Sequence, residues 1–211
     1  MRCVVNVATG PYVRGQKRLT SNKYVIDEPM MMFIDEMPPG SPSHKDNPYA
    51  FKAWAMKHAA DHAATLLLWA DACILPIRSL EPLWERIERD GYWISRNGYR
   101  NSEWTTDSAY ADLGVTHEKN DGIEHVVATA FGLNLEHEKG RYIFDEYFRL
   151  AQTNAFKGPW TGGIGVKHRH DQTALSVVAW RAGCELTDPP NVFAYASGVT
   201  EDTILSADAR Y

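Results

Sequence analysis

Leu66-Leu67-Leu68-Trp69-Ala70-Asp71-Ala72-Cys73-Ile74-Leu75 is the stretch whose reading decides the fold. An apolar run ends on a single carboxylate, and a second apolar pair follows at once. Bounded by polar segments, a run of this length suits a strand covered on both faces. A charge is tolerated where such a strand ends, which is also where an open α/β sheet places its ligands. Asp71 is therefore either a ligand-facing carboxylate or an aspartate that closes a turn, and the sequence leaves both readings open.

Upstream, Asn47-Pro48 carries the start signals of a helix. Phe51, Trp54, Ala55, His58, Ala59 and His62 follow at helical spacing on one face. A helix running directly into a buried strand is the unit of a parallel α/β architecture. Cys3-Val4-Val5-Asn6-Val7-Ala8 reads as a first strand. Thr9-Gly10-Pro11 ends it, and residues 12–19 form a basic, glycine-containing loop that runs into a short helix. Residues 24–26 and 30–34 are candidate second and third strands. Residues 37–43 hold three prolines and a glycine, so they form a surface loop.

Downstream, Ser79 caps a helix whose Leu80, Leu83, Trp84 and Ile87 make one stripe, and Gly91 is placed to end it. Residues 92–95 read as a strand, and residues 97–121 as a long functional excursion. Ile123, Val126, Val127, Ala130 and Phe131 fall at helical spacing, as do Ile143, Phe144, Tyr147, Phe148 and Ala151. Residues 158–165 are a glycine-rich loop. A last helix runs from about Asp171 to Ala182, stopped by Gly183, and the tail after Pro189 has no strong pattern.

The chain of 211 residues fits one domain spanning 1–211. With 44% hydrophobic and 23% charged residues it is neither disordered nor fibrous. No apolar run reaches the roughly 18 residues of a membrane span, and the N-terminus lacks a secretory signal pattern. These features imply no membrane partner and a cytoplasmic location. Cys3, Cys73 and Cys184 form no paired motif and read as small buried hydrophobes. A net charge of −5 argues against a broad nucleic-acid surface. Residues 1–26 nevertheless carry Arg2, Arg14, Lys17, Arg18 and Lys23 without an acid. A local anion site fits inside that asymmetry.

Three groups carry chemistry. The loop after the first strand offers Thr9 and Gly10 with free backbone donors, the cations Arg14, Lys17 and Arg18, and Tyr12 to stack on a base. Such a set suits a diphosphate, against the alternative of a solvated basic loop. Asp71 can hold a divalent cation bridging two phosphates, since hard cations prefer carboxylate oxygens. Lys167-His168-Arg169-His170-Asp171-Gln172 packs two histidines, an aspartate and two cations at a helix start. His168 or His170 completes a metal site or holds a phosphate, and Asp171 accepts a proton or fixes the acceptor. The alternative there is helix capping. Residues 97–107 add Trp104, which can stack on a sugar, and Asp107, a further catalytic candidate. His58 and His62 read better as core or edge residues than as metal ligands.

Taken together, Thr9-Gly10 with Arg18-Leu19, the strand reaching Trp69-Ala70-Asp71-Ala72-Cys73, and the late Asp171-Gln172 resemble nucleotide-sugar-dependent glycosyltransferases of the GT-A type. The resemblance implies a single GT-A-like α/β domain with a mostly parallel central sheet flanked by helices. It implies a nucleotide-sugar donor, UDP-linked, bound by residues 9–18 together with Trp69 and Ala70. Asp71 would contact a Mn or Mg ion or the donor itself, and Asp171 would lie near the acceptor. Where the family usually has a second aspartate this chain has Cys73, so a metal would fall to Asp71 with His168 or His170, or be replaced by cations. The acceptor is a saccharide, a protein or a hydroxymethylated DNA base, with Arg96, Arg100, Lys167 and Arg169 as a positive rim for the last. Two rival classes are a non-catalytic nucleotide or nucleic-acid binding module and a nucleotidyltransferase. The oligomeric state is left open.

Overall fold

The structure is a computed structural model that describes residues 1–164, 166–188 and 191–208. In chain order the elements are β1 (Arg2–Ala8), α1 (Val13–Thr20), β2 (Met30–Ile34), α2 (Phe51–Asp61), β3 (Leu66–Ala70), β4 (Ile74–Pro76), α3 (Glu81–Asp90), β5 (Tyr92–Trp93) and β6 (Arg96–Arg100). They continue with α4 (Tyr110–Leu113), α5 (His117–Asp121), β7 (Glu124–Val126), β8 (Ala130–Asn134), α6 (Glu138–Ala151), α7 (His170–Arg181), β9 (Val192–Tyr195) and β10 (Thr203–Ala207).

The central sheet has five strands in the order β2-β1-β3-β8-β5. β1 pairs in parallel with β2 and with β3, whereas β8 runs antiparallel to both β3 and β5. Four strands therefore point one way and β8 alone is reversed, a mostly parallel sheet. The run Leu66–Ala70 is buried throughout because its alternate side chains enter two different layers. Leu67 and Trp69 join the layer under α2, α6 and α7, while Leu66, Leu68 and Ala70 face α3 and the tail strands. A strand covered on both sides has no polar face to show, which is why it reads as one continuous apolar run.

The stripe Leu80, Leu83, Trp84 and Ile87 is wholly buried, and Gly91 ends α3 in the left-handed conformation at φ 86°. Elsewhere the sequence expectations need correction. Residues 24–26 are a turn, because the Asn22 side chain accepts from the Tyr24 amide and its carbonyl takes the Val25 and Ile26 amides. Asn47 caps no helix; its amide donates to the Ala151 carbonyl at 2.7 Å, Tyr49 sits at φ 62°, and α2 starts only at Phe51. The buried side of α2 is Lys52, Ala53, Ala55, Met56 and Ala59, so the expected stripe is rotated and His62 is exposed. Residues 123–131 are not helical but supply β7 and the start of β8. The 97–121 excursion contains most of β6, paired with β7, then two 3-10 turns and the short helices α4 and α5. The tail folds into β9 and β10, which join β4 in a second, three-stranded sheet. The three cysteines are free. Of the glycine-rich loop Gly165, and of the tail Pro189, lie outside the described residues. Among the described residues no helix is long and apolar enough to cross a membrane.

Candidate active site

β1 has β2 on one side and β3 on the other, so the chain changes direction across the sheet between β1 and β3. The crevice beyond their carboxyl ends is where open α/β sheets bind ligands. Asp71 is the first residue after β3. Its amide donates to the Thr129 carbonyl at 2.8 Å, and its own carbonyl accepts from Ile74 at 2.8 Å, which fixes the turn. Trp69, fully buried two residues earlier, donates its indole N–H to Asp71 Oδ1 at 2.8 Å. The carboxylate is thus aimed by the strand that carries it, and it stays 28% exposed.

Its main partner is a residue the sequence reading passes over. Lys52 on α2 is only 2% exposed. Its ammonium lies 3.0 Å from Asp71 Oδ1 and 2.9 Å from Asp171 Oδ2. A third contact donates to the Ala128 carbonyl at 2.9 Å. Burial pulls this ammonium toward its neutral form, but the attraction of Asp171 and Asp71 outweighs it and holds the group above its ordinary value. The reverse applies to the carboxylates. Burial pushes both Asp71 and Asp171 up, and Lys52 offsets only part of that. One cation thus lies between two acids whose ionised forms burial disfavours. The sequence signal is a lysine on the alanine-rich side of α2, where a solvated charge has no place.

Above the cluster opens a cleft of about 290 Å³. Val7, Ala8, Thr9 and Tyr12 form one wall, Asp71, Ala72 and Cys73 the floor, and Met37, His44, Tyr49 and Phe51 the opposite wall. Asn6 and Gln16, both buried, link β1 to α1 with a hydrogen bond of 2.8 Å, and Gln16 also reaches the Phe33 carbonyl at 3.0 Å. That bridge fixes α1 and the preceding loop beside the crevice.

The structure thus brings Thr9, Tyr12, Asp71 and, through Lys52, Asp171 together. Other expected residues are placed differently. Gly10 turns the chain at φ 57° and donates its N–H to Asp35 Oδ1 at 2.7 Å. Arg14 and Lys17 are exposed on α1 and do not line the cleft. Arg18 donates to the Asp208 carbonyl at 2.7 Å and stands 3.7 Å from its carboxylate, a tie to the tail. Trp69 and Ala70 are sealed in the sheet and have no face for a donor. Asp107 is 78% exposed beside His117 Nε2 at 3.5 Å and is not part of the cleft.

The two histidines expected to complete a metal site with Asp71 are each engaged elsewhere. His168 is fully buried; its Nε2 contacts the Ala155 carbonyl at 2.9 Å and its Nδ1 accepts from the Thr106 amide at 3.4 Å. Both ring nitrogens are engaged, and burial lowers the group to about 4. His170, at φ 50°, turns Nδ1 to the Phe156 carbonyl at 2.8 Å and stacks on Trp160. Cys73 is a poor ligand for a hard ion, its thiol pushed up to about 12 by burial first and by Asp71 second. Among the described residues no three His, Cys, Asp or Glu side chains are grouped to hold a metal ion.

No family model matches the sequence, and no curated protein sequence matches it. Solved structures do. A glycosyltransferase involved in the glycosylation of the major capsid of PBCV-1 is 13% identical with a TM-score of 0.57, over 100% of this chain and 93% of that one. Mouse xyloside xylosyltransferase 1 is 9% identical with a TM-score of 0.54, over 100% and 98%. The WbbM bifunctional glycosyltransferase is 10% identical with a TM-score of 0.56, over 99% of this chain and 45% of that one. The chain has a GT-A fold. At these identities the likeness is one of architecture. In the GT-A fold of this chain, the crevice between β1 and β3 is occupied by Thr9, Tyr12 and Asp71, with Lys52 behind them.

Proposed function

We propose that this chain moves a sugar from a nucleotide-sugar donor, UDP-linked, to an acceptor hydroxyl. The observation that carries the reading is the placement of Asp71: a half-open carboxylate, aimed by Trp69 and balanced by Lys52, on the floor of the crevice. Tyr12, 51% exposed at the rim, offers a face to the base. Asp71 accepts hydrogen bonds from donor hydroxyls, and Lys52 offsets part of the cost of burying its charge. In the transfer, the acceptor oxygen bonds to the anomeric carbon as the carbon–oxygen bond to the diphosphate breaks. The nucleoside diphosphate leaves with the electron pair, and the acceptor proton leaves with it. Lys52, buried between Asp71 and Asp171, positions the Asp71 carboxylate rather than meeting the donor itself.

The test is release of UDP from a panel of UDP-sugars, with and without acceptors. Asp71→Asn keeps the indole and ammonium neighbours but removes the charge. It should lower turnover by roughly 100-fold or more, in the range lost with a preorganised polar contact, while circular dichroism stays unchanged. Binding of UDP without turnover would instead favour a non-catalytic module, which Cys73 in place of a second carboxylate also suits. Pyrophosphate released from a nucleoside triphosphate would point to a nucleotidyltransferase.

A further inference from the structure

Beside the donor cleft lies a surface of aromatic and cationic side chains that the donor reading leaves unused. The guanidinium of Arg169, the residue before α7, is 4.2 Å from the Trp104 ring centroid and 4.3 Å from that of Trp160. The Lys167 ammonium stands 3.7 Å over Trp104. Both cations are held by ring faces rather than by acids. Among the described residues neither has a carboxylate partner, whereas Arg96 pairs with Glu124 and Asp188, and Arg100 with Asp121. A guanidinium stacked in this way keeps its charge and its hydrogen-bonding edge for something else.

The surface is continuous with the cleft. Trp160, 50% exposed, lies 5.6 Å from the His170 ring and 8° from parallel with it. His170 is also 5.5 Å from Tyr49, a cleft-lining residue whose ring lies 6.3 Å from Trp160 itself. An exposed indole in contact with one of these cations, with the second over the neighbouring Trp104, matches a ligand with a flat, weakly polar face and a compact anion on its edge. A sugar ring bearing a carboxylate has that form. A nucleic-acid strand does not match as well, since it presents a charge at every nucleotide. Arg96 and Arg100, which would extend a cationic track, are already neutralised. Resting on the transferase reading above, we propose that this surface is the acceptor subsite and that the acceptor is an acidic saccharide. Its ring packs against the exposed part of Trp160 and its carboxylate meets Arg169 and Lys167.

The experiment titrates the full chain with an oligosaccharide ending in glucuronic acid and with its glucose-ended counterpart, following tryptophan fluorescence. The acidic ligand should bind roughly tenfold tighter, as a charge-assisted contact at a partly desolvated site predicts. Added salt should erode that preference. Lys167→Gln and Arg169→Gln should each reduce it. Equal affinity for the two ligands overturns the proposal, and so does a single-stranded oligonucleotide that outcompetes both. Displacement of the acidic ligand by UDP on the unaltered protein overturns it too, because the cations would then serve the diphosphate. A protein that discriminates the two saccharides yet releases UDP from no donor fails the transferase reading, and the acceptor role falls with it.

Discussion

Lys52 decides how the site is held together. Its ammonium is the only group placed between Asp71 and Asp171 among the described contacts of either carboxylate with a cation. Lys52→Met would leave two acids without their shared cation, Asp171 buried and Asp71 only partly open to the cleft. Breaking a buried pair in this way costs about 3–5 kcal/mol. Urea unfolding should register that loss, and adding Asp171→Asn should recover part of it by removing one of the stranded charges. A single variant as stable as the parent would mean the ammonium is dispensable. Two histidines make a second claim at this scale. Burial, the largest cause for each, lowers His125 to about 3 and His168 to about 4 from an ordinary 6.5. Both rings are neutral in the fold and regain protons on unfolding. Between pH 6.5 and 4 the unfolded chain therefore binds more protons, and their contribution to stability rises with pH. It is fully present above pH 6.5 and declines, by a few kcal/mol in all, as the pH falls toward 4. The raised carboxylates Asp71 and Asp171 act in the opposite sense, so the rings themselves are the cleaner readout. Their NMR resonances should remain those of neutral imidazole at pH 5, and a charged ring at that pH would contradict the burial argument.

At the scale of elements, close backbone packing rather than propensity locks α6 onto the sheet. A Cβ built on Gly140 would lie 2.1 Å from the Asn134 carbonyl oxygen and 2.3 Å from that of Gly91. Neither obstacle is a flexible side chain. Gly140→Ala must therefore push α6 away from the end of β8 and the C-cap of α3, at about 1–3 kcal/mol. A lowered melting temperature checks this, and an unchanged one would show that α6 has room to move. How much of these elements is legible in sequence depends on how many faces each one buries. α3 and α6 bury one face, so Leu83, Trp84 and Ile87, or Ile143, Phe144 and Tyr147, stand out at helical spacing. Ile123, Val126, Val127, Ala130 and Phe131 are equally well spaced but fall just before β7, in β7 and β8 and in their connection, all of them buried. Periodicity is silent there. The same limit hides Lys52. Asp71 could be read from its own strand, whereas the lysine acquires meaning only from two carboxylates that folding brings to it. Arg18 is the converse case, a cation whose local setting suggests a phosphate and whose distant partner is Asp208.

For the whole molecule, the tail is a structural part of the cleft floor. β10 lies between β4 and β9, and the Asp208 amide donates to the Cys73 carbonyl at 2.8 Å. Arg18 reaches the Cys73 carbonyl at 3.4 Å as well as the tail, so α1, the Asp71–Cys73 turn and β10 are joined at one point. Phe193, Ile204 and Leu205 complete the apolar layer that contains Trp84 and Trp93. Ending the chain at residue 188 removes all three. At roughly 1.5–3 kcal/mol for each large apolar side chain withdrawn from the core, the loss is comparable to the whole stability of a domain. The shortened chain should melt well below the full one. UDP, which on the proposed reading raises the melting temperature of the full chain by mass action, should have little effect on the shortened one, because the turn carrying Asp71 has lost its clamp. Thermal unfolding of both chains with and without UDP measures the two effects together. A shortened chain that melts like the full one and still responds to UDP would place the cleft's support in the five-stranded sheet alone.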